Sequence, residues 1–231
     1  MTLTDALLTA QLRDVRAERQ YTPTSRWFAS GVLDCWRKRW YQAERIPPSE
    51  QLTCQGMLAL DVGSFLHATV QDALCRLHGV TAEVPWRSDT YGGRADLVVT
   101  EECPEWPYPA PAVVEIKTVS GYGFKRCAKT PEIRHIMQGL LCANALNAVG
   151  ALLVYVDRDS LRIVEHWVPL DEGRAAQCRD ELEQCARLDA GGRLPHRVIP
   201  GVGEVQDPGS DSAPWQCRYC SWQGTCLTDG E

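Results

Sequence analysis

Two stretches decide the reading of this chain: Tyr91-Gly-Gly-Arg-Ala-Asp96 and Ala112-Val-Val-Glu-Ile-Lys-Thr-Val119. The second is β-branched and short, as a strand requires. Residues two apart on a strand share a face, so Glu115 and Lys117 project together while Ile116 points the other way. The rest of that strand is apolar, which places it centrally in a sheet. Charges on a mostly buried strand need partners or a function. Asp96 lies at the preceding strand, just after Gly92-Gly93, and antiparallel pairing brings it beside Glu115. Two carboxylates sharing a site repel, and a divalent cation relieves the repulsion. Oxygen ligands of this kind suit Mg²⁺ or Mn²⁺. A bound cation can polarise a phosphoryl oxygen and acidify a water, and Lys117 can orient that water or stabilise developing negative charge. On spacing alone, this reading and a surface hairpin with an Asp and a Glu–Lys pair stand level.

Outward from this centre, residues 82–87 and 94–100 read as strands, with a Pro-rich loop at 103–111 before the 112–119 strand. A helix is expected over 131–148, with Thr130 as N-cap and Pro131 in the first helical position. Strands at 151–157 and 161–169 flank a turn at Arg158-Asp159-Ser160. A polar helix over 171–189 should stop at Gly191-Gly192. Upstream, helices are expected over 4–19, 25–45 and 61–78, the second ended by Pro47-Pro48. In the third, Val62, Phe65, Leu66, Thr69, Ala73 and Leu77 recur at steps of three and four and predict a buried stripe. Residues 195–214 read as loop and 215–226 as a short cysteine-rich piece. The order predicts an α/β fold around a small mixed sheet flanked by helices. Its parts are an N-terminal helical part (1–60), a core (61–194) and a C-terminal tail (195–231), together forming one compact domain.

The chain has 231 residues, 44% of them hydrophobic, enough for a real core. No apolar run approaches the ~20 residues of a membrane span, and the N-terminal sequence lacks the basic start and apolar stretch of a secretion signal. A cytoplasmic location is expected. The net charge of −6 advertises no nucleic-acid partner, so any such contact must use a local basic patch. Two patches qualify. One is Arg37-Lys38-Arg39 with Arg26 and Arg45. The other gathers Lys117, Lys125, Arg126, Lys129 and Arg134. Both can also be ordinary solvated faces. Trp36, Trp40 and Tyr122 are the aromatic residues best placed to stack on bases.

The ordered motifs resemble those of the PD-(D/E)XK nuclease superfamily, in which an Asp precedes a Glu-x-Lys strand, here Asp96 and Glu115-Ile116-Lys117. Gly63-Ser-Phe-Leu-His67 is similar to the Gly-x-x-x-His motif of RecB-like members, and Gly93-Arg-Ala-Asp96 to their Gly-x-x-Asp form. The resemblance implies a restriction-endonuclease-like core. It also implies a metal held by His67, Asp96, Glu115 and the Ile116 main-chain carbonyl, with Lys117 assisting catalysis. The family's Gln-x-x-x-Tyr motif corresponds to Gln138-Gly-Leu-Leu-Cys142, so Gln138 joins the catalytic set, and Cys142 stands where the family has Tyr. We assign Cys142 to the core.

Eleven cysteines in a chain with no export signal argue against a disulfide framework. Cys75, Cys142, Cys178 and Cys185 lie in amphipathic stretches and read as small buried hydrophobes. The run Trp215-Gln-Cys217-Arg-Tyr-Cys220-Ser-Trp-Gln-Gly-Thr-Cys226 differs, because closely spaced thiolates converge on a metal. Three thiolates are one short of four. Cys35 is the candidate fourth, with Cys54, Cys103 and Cys127 as rivals. The same resemblance supports Cys35. RecB-like nucleases of the CRISPR-associated Cas-four and AddB type hold a four-iron four-sulfur cluster with one early and three late cysteines. Zinc is the alternative guest. The expected function is a divalent-metal-dependent DNA exonuclease acting on single strands or ends, with a structural cluster joining the two ends of the chain. The competing reading is a non-catalytic or end-trimming DNA-binding component of a CRISPR-adaptation, recombination or phage replication complex.

Overall fold

The computed structural model describes residues 11–12, 27–50, 52–190 and 194–229. Most of the helix expected over 4–19, and the stop at Gly191-Gly192, lie outside them. Five strands form one sheet in sequence order: β1 (Val80–Arg87), β2 (Gly92–Val99), β3 (Ala112–Val119), β4 (Gly150–Asp157) and β5 (Ile163–Pro169). Only β3 and β4 run parallel, and the other neighbours are antiparallel. A parallel pair needs a crossover, and this one contains two helices, α3 (Gly121–Cys127) and α4 (Ile133–Ala145). The mixed sheet is therefore as expected, and the strand assignments hold to within two residues.

Helices cover both faces. Leu66, Val70 and Leu74 of α2 (Cys54–Leu74) pack on Leu97, Val114, Ile116 and Leu152. On the opposite face, Cys142 and Ala143 of α4 meet Ala95, Val113 and Ala151. The alternation of β3 thus sends Ile116 to one layer and Val113 to the other, and β4 is buried along its whole length. Gly139 lets α4 settle this closely, because a Cβ there would lie 2.9 Å from the Ala151 Cβ.

Several local expectations are corrected. Helix α2 starts at Cys54, capped by the Thr53 side chain, well before residue 61. Its buried side is Met57, Gly63, Leu66, Val70 and Leu74. Val62, Phe65, Thr69 and Ala73 of the expected stripe face outward. Apolar residues occupy two faces of this helix, so periodicity alone could not choose between them. The helix expected over 25–45 is broken into a 3₁₀ turn at Ala29–Gly31 and α1 (Trp36–Ala43), with Leu33 in a left-handed conformation between them. Helix α4 begins at Ile133 with Glu132 as N-cap, displacing Thr130 and Pro131 from those roles. Helix α3 was not foreseen. Its seven residues with two glycines carry too little periodicity, although Ser120 caps it through the Gly123 N–H.

The polar helix is α5 (Glu172–Ala190), and α1 packs on it. Trp36 Nε1 and Arg39 Nη1 both donate to Glu181 Oε1, at 3.0 and 2.6 Å. Within the expected loop 195–214 lies a small hairpin of β6 (Val198–Ile199) and β7 (Gly203–Glu204). Two short helices, α6 (Trp215–Arg218) and α7 (Gln223–Thr228), complete the tail. The tail docks on the N-terminal part: Trp222 Nε1 donates to the Ile46 carbonyl at 2.8 Å, and Tyr41 Oη donates to Asp229 Oδ2 at 2.8 Å. No described helix is long and apolar enough to cross a membrane.

Candidate functional site

The site forms where β2 and β3 part. Their ladder runs from Val99↔Ala112 to Leu97↔Val114 and stops there. The next N–H on β3, that of Ile116, is taken instead by the Asp96 carboxylate at 2.7 Å. A side chain thus replaces a main-chain partner, which fixes the carboxylate at the point of divergence. The alternation of β2 breaks at the same place. Leu97 and Val99 join the layer under α2, whereas Ala95 and Val98 join the layer under α4. Across from Asp96 on β1, Glu83 adopts a positive φ of 55°. Such strain in a non-glycine residue persists only where the surroundings enforce it, and it concentrates at functional sites.

His67 reaches this carboxylate from α2, its Nε2 standing 3.1 Å from Asp96 Oδ2. Gly63, one turn earlier, permits the approach. A Cβ there would lie 2.8 Å from Thr118 Oγ1 at the end of β3. The glycine and the histidine of that motif therefore serve one purpose, bringing α2 close and delivering an imidazole.

Glu115 is fully buried. Its Oε2 accepts hydrogen bonds from Lys117 Nζ at 2.9 Å and from Gln138 Nε2 of α4 at 2.8 Å. Its Oε1 is buried without a hydrogen-bond partner. An orphaned carboxylate oxygen is costly and calls for an explanation, an unseen ion among them. Beside Glu115 lies the Cys142 thiol, itself buried and accepting from Trp86 Nε1 at 3.4 Å. Cys142 is thus a core residue touching the site.

The electrostatics follow from burial and pairing. Burial opposes ionisation of Asp96, but the His67 hydrogen bond, the Lys117 charge and the Ile116 N–H together hold its pKa below the ordinary value. The Asp96 bond raises the His67 pKa against the effect of burial. Burial pushes Glu115 up, with the Lys117 charge pulling the other way. Lys117 loses solvation too, yet the charges of Glu115 and Asp96 raise its pKa and keep it cationic. Burial, then the Glu115 charge, holds the Cys142 thiol well above its usual value and therefore protonated. His135, one turn before Gln138, is lowered to about 4 by burial and the Lys117 charge, and its Nδ1 lies 3.0 Å from Tyr155 Oη.

All six predicted residues meet in this network: His67, Asp96, Glu115, Ile116, Lys117 and Gln138. Among the described residues, no three His, Cys, Asp and Glu side chains are grouped as a closed cage for an ion. The carboxylates are engaged instead by His67, Lys117 and Gln138. The donor set, two carboxylates with one oxygen unpaired and an imidazole against one of them, is still what a divalent cation of the Mn²⁺ or Mg²⁺ type takes.

The four nominated cysteines border one cavity, although among the described residues no three of them are placed closely enough to hold an ion. Cys35, at the N-terminus of α1, lines one cavity with Cys217, Cys220 and Cys226 of the tail. Burial raises the pKa of Cys35 and Cys220, and that of Cys217 to about 11. The rivals are elsewhere: Cys127 packs with Phe124 and Tyr155, and Cys103 lies beside the core under α2. Cys54 opens α2.

Of the first basic patch, Arg26 lies outside the described residues and Arg45 is exposed, but the Arg37-Lys38-Arg39 run is tied up within the fold. Arg37 and Arg39 are buried; Arg37 Nε donates to the Pro195 carbonyl at 2.8 Å, and Arg39 is paired with Glu181. Lys38 is tied to Asp34 at 2.8 Å. Arg134 contacts Asp34 and Glu132 and lies over the Trp215 ring. Trp36 and Trp40 pack against the core rather than facing solvent. The second patch is split: Arg134 is engaged as above and Lys117 is paired with Glu115, whereas Lys125, Arg126 and Lys129 are exposed at helical spacing on α3 and just beyond it, beside the exposed Tyr122.

No family model matches this chain, and no curated protein matches its sequence. Among solved structures, the crystal structure of SSO0001 aligns with a TM-score of 0.56 at 19% identity, covering 97% of this chain and 96% of that one. An alkaline exonuclease (LHK-Exo) from Laribacter hongkongensis aligns at 0.53 and 16% identity, covering 71% of this chain and 88% of its own. The same exonuclease in complex with dAMP aligns at 0.51 and 14%, with the same coverage. At these identities the likeness establishes a shared fold. The mixed five-stranded sheet flanked by helices is thus the fold of an alkaline exonuclease.

Proposed function

We propose that this protein is a divalent-metal-dependent DNA nuclease, acting as an exonuclease on single strands or ends. The observation that supports it is the buried Glu115, bound by Lys117 and Gln138 on one oxygen and unpaired on the other. A fold needs no such group for stability, because a buried carboxylate with an unpaired oxygen costs free energy. The fold shared with an exonuclease that has been solved with dAMP supports DNA as substrate.

His67, Asp96, Glu115 and the Ile116 carbonyl would hold the cation, and the imidazole favours Mn²⁺ alongside Mg²⁺. When bound, a divalent cation supplies a polarised phosphoryl oxygen and an acidified water. The chain's own residues do the rest. Lys117, kept cationic by its neighbours, presents positive charge where the phosphodiester gains negative charge. Gln138 fixes the Glu115 rotamer from the opposite helix. His67 and the Ile116 N–H set the direction of Asp96. The exposed face of Tyr122, Lys125, Arg126 and Lys129 follows directly from the catalytic strand and would carry the nucleic-acid backbone, with Tyr122 offering a ring for stacking.

The second component of the proposal is a four-iron four-sulfur cluster on Cys35, Cys217, Cys220 and Cys226. The four line a cavity of about 90 Å³, room for several waters and hence for a polyatomic guest rather than one ion. Its role would be structural, tying the tail to α1. A protein of this kind would trim ends within a larger assembly for CRISPR adaptation, recombination or replication.

One preparation tests both parts. The protein is purified without oxygen, its visible spectrum and its iron and sulfide content are recorded, and end-labelled single strands are offered with Mn²⁺ or Mg²⁺. Brown protein and metal-dependent release of nucleotides are expected. Binding without cleavage under either metal would sink the nuclease assignment. Colourless protein containing zinc would sink the cluster assignment alone.

A further inference from the structure

The hairpin hidden in residues 195–214 places one arginine with unusual care. Arg197 directly precedes β6, and its carbonyl accepts from the Val205 N–H at 2.9 Å, closing the hairpin. The segment before it is pinned by Arg37, whose Nε holds the Pro195 carbonyl. With the backbone fixed on both sides, the Arg197 side chain turns inward and is buried to 9% exposure. Its Nη2 donates to the Cys226 carbonyl at 2.9 Å, and its Nε donates to Cys226 Sγ at 3.3 Å. A thiol sulfur is a weak acceptor of such a bond. Aimed at a metal-bound thiolate, the same contact becomes a charge-assisted hydrogen bond.

We propose that Arg197 is a tuning residue for the cluster: it fixes the ligating direction of Cys226 and stabilises negative charge on its sulfur. The inference rests on the iron–sulfur reading of the cysteine cavity. Hydrogen bonds to cluster sulfurs are a main determinant of reduction potential. A cationic donor favours the more negative, reduced state, so Arg197 raises the potential. It also holds Cys226 in its ligating direction, which slows loss of the cluster.

The test compares the whole protein with Arg197→Met and Arg197→Lys, all prepared without oxygen. Iron and sulfide content, midpoint potential by reductive titration, and the rate of cluster loss to a chelator are measured. Arg197→Met should lower the potential and speed cluster loss by about tenfold, the size of one charge-assisted hydrogen bond. Arg197→Lys keeps the charge without the fork and should fall between. Should Arg197→Met fail to take up iron, Arg197→Lys decides alone, a lowered potential supporting the proposal and an unchanged one overturning it. Variants that load iron with the potential and cluster lifetime of the parent overturn it. So does a loss of occupancy or Tm that leaves the potential of the loaded fraction unmoved, since that is merely structural. Failure of the cluster reading is distinguishable, because the parent protein would then contain no iron.

Discussion

The candidate catalytic network and the cysteine cavity are built at opposite ranges of the chain. Asp96 meets Ile116 across 20 positions, and Glu115 meets Lys117 across two. The cavity instead depends on contacts such as Trp222 to Ile46, across 176 positions, and Tyr41 to Asp229, across 188. Neighbouring strands of one sheet deliver the first site almost automatically once their register is set. The second requires α1, the hairpin and the tail to dock on one another. Closure entropy rises only slowly with loop length, so the long range itself costs little.

That contrast can be broken most sharply at Glu115. Glu115→Gln should cut cleavage of end-labelled single strands by about a thousandfold or more, while Tm falls because the Lys117 ammonium loses its buried partner. Unchanged activity in the folded variant would refute the role of Glu115. Asp96→Ala and Lys117→Ala should be equally inactive, and a chelator of divalent ions should silence the parent protein.

Gln138→Ala should reduce the rate by roughly tenfold to a hundredfold, the worth of one hydrogen bond to a charged group, read as a fall in kcat at saturating metal. At the other pole, Cys217→Ser should leave the sheet intact yet abolish iron content and lower Tm by roughly 10 °C, about 3 kcal/mol in a chain of this size. Equal Tm and metal content in parent and variant would show that the tail docks without the cysteines.

Smaller effects sharpen the local geometry. Gly63→Ala sets a Cβ against Thr118 and should destabilise by about 1–2 kcal/mol by denaturant titration. Adding Thr118→Ala should restore stability, since helical Ala is then favoured over Gly by about 1 kcal/mol. Smallest of all, Lys125→Ala should weaken single-strand binding and shallow its dependence on log salt by somewhat under one unit. An unchanged slope would move the backbone path away from α3.

The range of each interaction also explains what the sequence disclosed. Strand β3 was legible to the residue, since a short β-branched apolar run, buried from Ala112 to Ile116, needs no distant information. His67, Asp96, Glu115, Lys117 and Gln138 were legible as ordered motifs, and the fold brought them together. Gly63 was recognisable as part of a motif, but its partner Thr118 was not, because helix–strand approach is a tertiary fact. Arg37 and Arg39 read as surface because arginines usually are, yet α5 and the Pro195 carbonyl claim them. Phe65 read as core, and α2 turned that face outward. Arg197 carried no local signal whatever. Its meaning lies in a hairpin of two-residue strands and in a sulfur 29 positions away.

The tail hairpin and the exposed turn after it have a covalent consequence. Gln206, Asp207, Gly209, Asp211 and Ser212 are open to solvent between the hairpin and α6. A single peptide cut there would leave Cys35 on one fragment and Cys217, Cys220 and Cys226 on the other. The two pieces would stay together through the Trp222 and Tyr41 contacts, and any metal shared by the four sulfurs would become their only chemical bond. A nicked molecule would then hold or fall apart according to what the cysteines carry.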